Sequence, residues 1–125
     1  MLIKNNHIVL AGGIVPVLDR AVRNRRGAQP IEVEVRTMEE LEDALSHGAE
    51  AILLDNMSPE EVRRAVDRCT SLAAQTNRHI PLECSGGIRL ENVLAYAETG
   101  VDFISVGLLT HSPQAVDMSL RITPA

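Results

Sequence analysis

Two carboxylates in similar settings mark the first place where this sequence can do chemistry. Glu34 lies in the run IEVEV (31–35), and Asp55 closes the run AILLD (51–55), 21 positions later. Both runs are short, rich in apolar and β-branched residues, and bounded by turn residues, as buried strands are. Side chains alternate along a strand, so Glu32 and Glu34 share one face and Val33 the other. A carboxylate in a buried strand is costly unless it is paired. Two on one strand face therefore indicate function or a local ion pair. On neighbouring strands, Glu34 and Asp55 can point into one pocket. There they can bind sugar hydroxyls, hold magnesium, which prefers oxygen ligands, or serve as an acid–base pair. The plainer alternative is that one of them only caps a loop.

Glycine turns come next. Ser85-Gly86-Gly87 follows the run IPLEC (80–84), and the run DFISVG (102–107) ends in Gly107 ahead of Thr110, His111 and Ser112. Glycines between a strand and a helix let backbone N–H groups approach an anion, and the helix adds its positive end. Two such loops on late, adjacent strands form the usual phosphate site of a β/α barrel. Taken alone, Gly86-Gly87 is equally well explained as a tight turn. Lys4, after the run MLI (1–3), is read as the strand-end cation. It can pair with Glu34 or Asp55 or hold an anionic substrate, and His7 can share a carboxylated ligand with it. His47 and His79 receive no role. Arg20, Arg23, Arg25 and Arg26 read as a solvated helix end, and Cys84 as a buried structural thiol.

These groups meet only if the elements carrying them are parallel strands, because ligands bind where the C-terminal ends of such strands converge. The pattern supports that. Apolar runs alternate with amphipathic stretches, and a last run, MSLRI (118–122), reads as a sixth strand. A first helix is expected near 15–25, ending before Gly27 and Pro30. Thr37 with Glu40 and Ser58 with Glu61 have capping-box spacing, and Pro59 suits a first helical position. Gly48 offers a left-handed cap to the second helix, and Val62, Ala65, Val66 and Cys69 line one face of the third. A further helix is expected over about 90–99, stopping at Gly100. Strand–helix alternation of this kind implies parallel strands with right-handed crossovers. About six strands are too few for the eight of a complete barrel, so the front of the barrel is expected to be missing from the chain.

Bulk properties narrow the function classes. A formal net charge of −5 over 125 residues argues against a nucleic-acid surface, and a single Phe, a single Tyr and no Trp leave no base-stacking platform. No apolar run is long enough to span a bilayer, and the start MLIKNNHIVLAGG lacks the form of a signal peptide. Cys69 and Cys84 form no zinc pattern and are read as reduced thiols in a cytoplasmic protein.

The runs LIKNNHI (2–8), GGI (12–14), IEVEV, LLDNMSPEEV (53–62), LECSGGIRLENVLAYAETGVDFISVGLLTHS (82–112) and MSLRI resemble the quinolinate phosphoribosyltransferase family, in order and over essentially the whole chain. The resemblance implies an incomplete α/β barrel behind an N-terminal α/β sandwich domain, in a homodimer. This chain, 1–125, corresponds to the C-terminal portion of the barrel domain. It also implies a reaction: quinolinate and phosphoribosyl pyrophosphate, with magnesium, give nicotinate mononucleotide, carbon dioxide and pyrophosphate, a step of NAD biosynthesis. By matching motif, Lys4 contacts the anionic substrates, and Glu34 and Asp55 take the ribose hydroxyls and the magnesium-bound pyrophosphate. Ser85, Gly86, Gly87, Gly107 and His111 surround the 5′-phosphate.

Two departures qualify that expectation. The family usually shows an acidic residue where this chain has Asn5. The basic cluster that grips the two carboxylates of quinolinate belongs to parts of the family that this chain does not contain. Two other readings therefore stand beside the enzyme. One is a non-catalytic phosphate-binding half-barrel. The other is a related phosphoribosyltransferase with a different acceptor, as in the molybdenum-transport-associated branch.

Overall fold

The computed structural model describes residues 1–113 and 115–124. Five strands, β1 (Leu2–Ile3), β2 (Glu32–Val35), β3 (Ala51–Asp55), β4 (Leu82–Ser85) and β5 (Phe103–Ser105), form one sheet in their sequence order. Every pairing is parallel. Helices α1 (Asn5–Ala11) and α2 (Ile14–Asn24) join β1 to β2, and α3 (Met38–Ser46) joins β2 to β3. Helices α4 (Pro59–Thr76) and α5 (Val93–Ala97) make the next two crossovers, and α6 (Leu108–His111) follows β5. Sequential order is that of a barrel wall, since a doubly wound sheet reverses direction at a switch point. β1 and β5 are the two edges among the described strands, so the wall is open.

Register assigns each side chain to a face. Val33, Ile52 and Leu82 lie level with one another, as do Val35, Leu54, Cys84 and Ile104 two residues on. The first six are at most 2 % exposed and form one core with Leu18 of α2, Leu41 of α3 and Val62 of α4. Burying each such aliphatic side chain is worth about 1.5–3 kcal/mol. The intervening positions face the other way. Glu34, Leu53, Glu83 and Phe103 share one level, and Asp55, Ser85 and Ser105 the next. Leu53, though buried, stands outside the helix-side core, and Phe103 is 59 % exposed.

The helix starts follow their local chemistry. Ser58 and Glu61 complete the box at α4, with the Ser58 amide donating to the Glu61 carboxylate at 2.8 Å and the Glu61 amide donating to Ser58 Oγ at 3.3 Å. Thr37 accepts from the Glu40 amide at 3.1 Å, but the Glu40 carboxylate takes the Arg36 amide at 2.6 Å instead of closing the box on Thr37. β2 ends at Val35, which leaves the Arg36 N–H beyond the ladder and free for that bond. Gly48 adopts φ +92°, the left-handed conformation expected after α3.

Two expectations fail, and one element is additional. The stretch after β1 forms the helix α1, ahead of the first expected helix; no residue of α1 is buried, so it shows no apolar period in the sequence. α5 is five residues long instead of ten or so, because the Asn92 side chain bonds the Arg89 amide at 2.7 Å and the Gly87 carbonyl at 3.2 Å and holds that stretch as a turn. The run MSLRI (118–122) forms no strand, and Met118, Leu120 and Ile122 are more than four-fifths exposed. A parallel strand needs a crossover that carries the chain back along the sheet, usually a helix, and α6 is a single turn.

Candidate functional site

The polar residues gather at the C-terminal strand ends because strand alternation and register agree there. Glu34, Asp55, Ser85 and Ser105 all point away from the helix-side core. The first two form the charged half of the site. Arg36, immediately after β2, lies between them. Its Nε donates to Asp55 Oδ2 at 3.0 Å, and its Nη2 lies 3.5 Å from Glu34 Oε1. The Glu34 side chain is 9 % exposed, Asp55 17 % and Arg36 51 %. Asn56 holds the other oxygen of Asp55, donating from Nδ2 to Oδ1 at 2.8 Å. The same residue adopts φ +55° and donates its amide to the Ser85 carbonyl at 2.8 Å. It thereby ties the end of β3 to the end of β4.

The second half is a cavity of about 270 Å³ lined by Ser85, Gly86, Gly87, Arg89, Gly107 and His111, among others. Both glycine loops contribute to it, as the strand-end argument expects. Gly86 is required by close approach as well as by its φ of +99°: a Cβ there would sit 2.4 Å from Asn56 Oδ1. The turn after β4 is thus packed directly on the residue that orients Asp55. The His111 ring lies over Gly107, where a Cβ would come within 3.1 Å of Nε2, while Nδ1 contacts Ser112 Oγ at 2.7 Å. The expected helix dipole contributes little here, since α5 begins six residues beyond Gly87 and α6 is one turn long. Besides the glycine turns, the donor-bearing residues on its lining are Ser85, Arg89, Ser105 and His111.

Of the two roles open to Lys4, the ion pair with Glu34 or Asp55 does not form. Its charge instead acts on Glu32, and its amide donates to His7 Nδ1 at 3.0 Å. His7 therefore braces the start of α1. Arg36 supplies the cation, and the sequence signal for it was its place: first after EVEV, in phase with Glu32 and Glu34. Arg89, two residues past Gly87, is a second cation that the strand-end reading passed over. The two acids of β2 also separate. Glu32 lies lower on the same face, where burial chiefly, and then the Glu83 charge, raise its pKa above the ordinary value. Glu83 accepts a hydrogen bond from Ser105 Oγ. Burial pushes the Cys84 thiol up to about 11, so it stays protonated and is no nucleophile near neutral pH.

The donor set limits what cation can sit here. Among the described residues, no three of His, Cys, Asp and Glu are grouped to hold a metal ion. Glu34 and Asp55 are two carboxylates, a set that suits magnesium completed by water and substrate phosphates.

The model of the quinolinate phosphoribosyl transferase C-terminal domain matches residues 1–121. The chain belongs to that family. A probable carboxylating nicotinate-nucleotide pyrophosphorylase of Methanocaldococcus jannaschii is 44 % identical over 122 residues, 98 % of this chain and 43 % of the relative. The carboxylating nicotinate-nucleotide pyrophosphorylase of Mycobacterium leprae is 44 % identical over 121 residues, 97 % of this chain and 41 % of its own. Among solved structures, the nicotinate-nucleotide pyrophosphorylase of Francisella tularensis superposes with a TM-score of 0.76 at 38 % identity, covering 94 % of this chain and 39 % of that one. The present chain of the quinolinate phosphoribosyl transferase family thus spans about two-fifths of the length of these relatives. No helix among the described residues is long and apolar enough to cross a membrane.

Proposed function

We propose that this chain forms the phosphoribosyl-binding part of an enzyme that joins quinolinate to phosphoribosyl pyrophosphate and releases carbon dioxide, pyrophosphate and nicotinate mononucleotide. The observation that carries the reading is the junction of two chemistries on one rim. A cavity walled by glycine turns and two cationic or donor side chains lies beside a pair of largely buried carboxylates, and Asn56 links the Gly86 turn to Asp55. The amides of the Ser85–Gly87 turn, with Arg89 and His111, hold the 5′-phosphate of the sugar. Glu34 and Asp55 accept the ribose hydroxyls.

The reaction breaks the bond between C1′ and the diphosphate oxygen and forms one from C1′ to the pyridine nitrogen. Positive charge grows on the ribose as the diphosphate leaves, and carboxylates fixed beside it stabilise that charge in the transition state. Held by Glu34, Asp55 and the substrate's phosphates, magnesium would supply neutralisation of the departing diphosphate. Loss of carbon dioxide from the acceptor ring then yields the mononucleotide. The grip on the quinolinate carboxylates is assigned to residues outside this chain, and a homodimer in the cytoplasm is the setting we infer from the family. Lys4, at the end of β1, contacts the anionic substrates.

The test is direct. The complete protein, given quinolinate, phosphoribosyl pyrophosphate and magnesium, is expected to form nicotinate mononucleotide, followed by chromatography with carbon dioxide release as the second readout. A folded, complete protein that makes no mononucleotide under these conditions overturns the reading.

A further inference from the structure

We infer that Arg36 is a resident counter-ion of the Glu34–Asp55 pair, which keeps a free divalent cation from seating between these carboxylates. Two carboxylates with side chains only 9 % and 17 % exposed need compensating charge. Arg36 brings it from both directions at once, at 3.0 Å to Asp55 Oδ2 and 3.5 Å to Glu34 Oε1. Among the described residues, no other cation stands within 4.0 Å of either acid. Asn56 donates to Asp55 Oδ1 and Arg36 to Oδ2, so both oxygens of Asp55 already accept a hydrogen bond. A dication cannot use Asp55 Oδ2 and Glu34 Oε1 while a guanidinium lies between them, because like charges at that separation repel strongly in a partly buried site.

The block can be relieved by an anion. Arg36 is half exposed and outside the helix-side core, so its side chain can swing away without opening the packing. A guanidinium matches phosphate oxygens in a two-pronged geometry. The cation therefore enters together with a diphosphate that draws Arg36 off the acids, not ahead of it. The identity of cation and diphosphate in this inference rests on the phosphoribosyl-transfer reading; the pairing itself does not.

The experiment measures manganese binding to the ligand-free full polypeptide by electron paramagnetic resonance, with no substrate present. Arg36→Gln is expected to bind manganese at least tenfold more tightly than the unaltered protein, and Arg36→Lys to stay within threefold of it. Arg36→Gln combined with Asp55→Asn is expected to lose the gain. Arg36→Met serves as the neutral variant should Arg36→Gln fail to fold by circular dichroism. A change under threefold in the folded neutral variant, including no measurable binding to either protein, overturns the inference. So does a gain that survives in the double variant. Turnover is measured separately: tighter manganese binding without mononucleotide formation leaves Arg36 as the counter-ion and removes the phosphoribosyl reading alone.

Discussion

The two faces of this sheet obey opposite rules although they alternate residue by residue. On the helix side, Val33, Val35, Ile52, Leu54, Leu82 and Cys84 are interchangeable in kind: each is apolar, fully packed and without a specific partner. On the other side, Glu34, Asp55, Ser85 and Ser105 each face a named atom or a cavity wall. Burial alone is enough for the first face, since dispersion and the hydrophobic effect do not depend on direction. Charge and hydrogen bonding do, so the second face works only where register, turn and ion pair coincide. Stability and chemistry are thus separated by a single step along each strand.

Substitutions on each face should separate these properties. The largest effect is expected at Asp55→Ala, with turnover of the complete protein reduced by about 10³-fold, roughly 4 kcal/mol of lost transition-state stabilisation. Its melting temperature should change little, because Asp55 lies outside the helix-side core. A large drop in melting temperature with normal turnover per folded molecule would erase the contrast between the faces. Leu54→Ala, one residue away and pointing the other way, should cost about 2–5 kcal/mol in denaturant unfolding. The kcat of the folded fraction should stay near that of the unaltered protein.

The smallest effect should come from Glu32→Gln, below about 1 kcal/mol. The pKa of Glu32 is raised in the folded state, so the native protein holds more protons than the unfolded chain across that window. Stability therefore falls as pH rises from the ordinary value of 4.5 through the raised one. The glutamine variant should be slightly more stable at neutral pH, and the difference should vanish below 4.5, where both states are protonated. Urea unfolding at pH 4 and pH 7 checks the sign.

Much of the site was legible in the sequence because parity is a local property. Glu34 one residue before the end of IEVEV and Asp55 at the end of AILLD follow from alternation within one run, and the glycines after IPLEC mark where the next run stops. Both loops reach one cavity because parallel strands in sequential order place successive C-terminal ends side by side. The ion pair was less legible. Lys4 and Arg36 each follow a strand, and the phase of Arg36 with Glu34 gives its face without giving its distance to Asp55. The α1 segment escaped because it offers no buried period, and α5 was expected but proved shorter than its run.

By itself, the sequence determined the alternation of strands and helices, the face on which each strand residue lies, and membership of a family whose motifs run through the chain in order. These depend on short-range sterics and hydrophobic period, which neighbouring residues define among themselves. Tertiary structure alone decided that Arg36 and not Lys4 neutralises the acids, that Asn56 links Asp55 to the Gly86 turn, and that 118–122 finds no place in the sheet. Ion pairs, close approaches and ladder partners are distances between remote segments, and those exist only after the strands have been set in register.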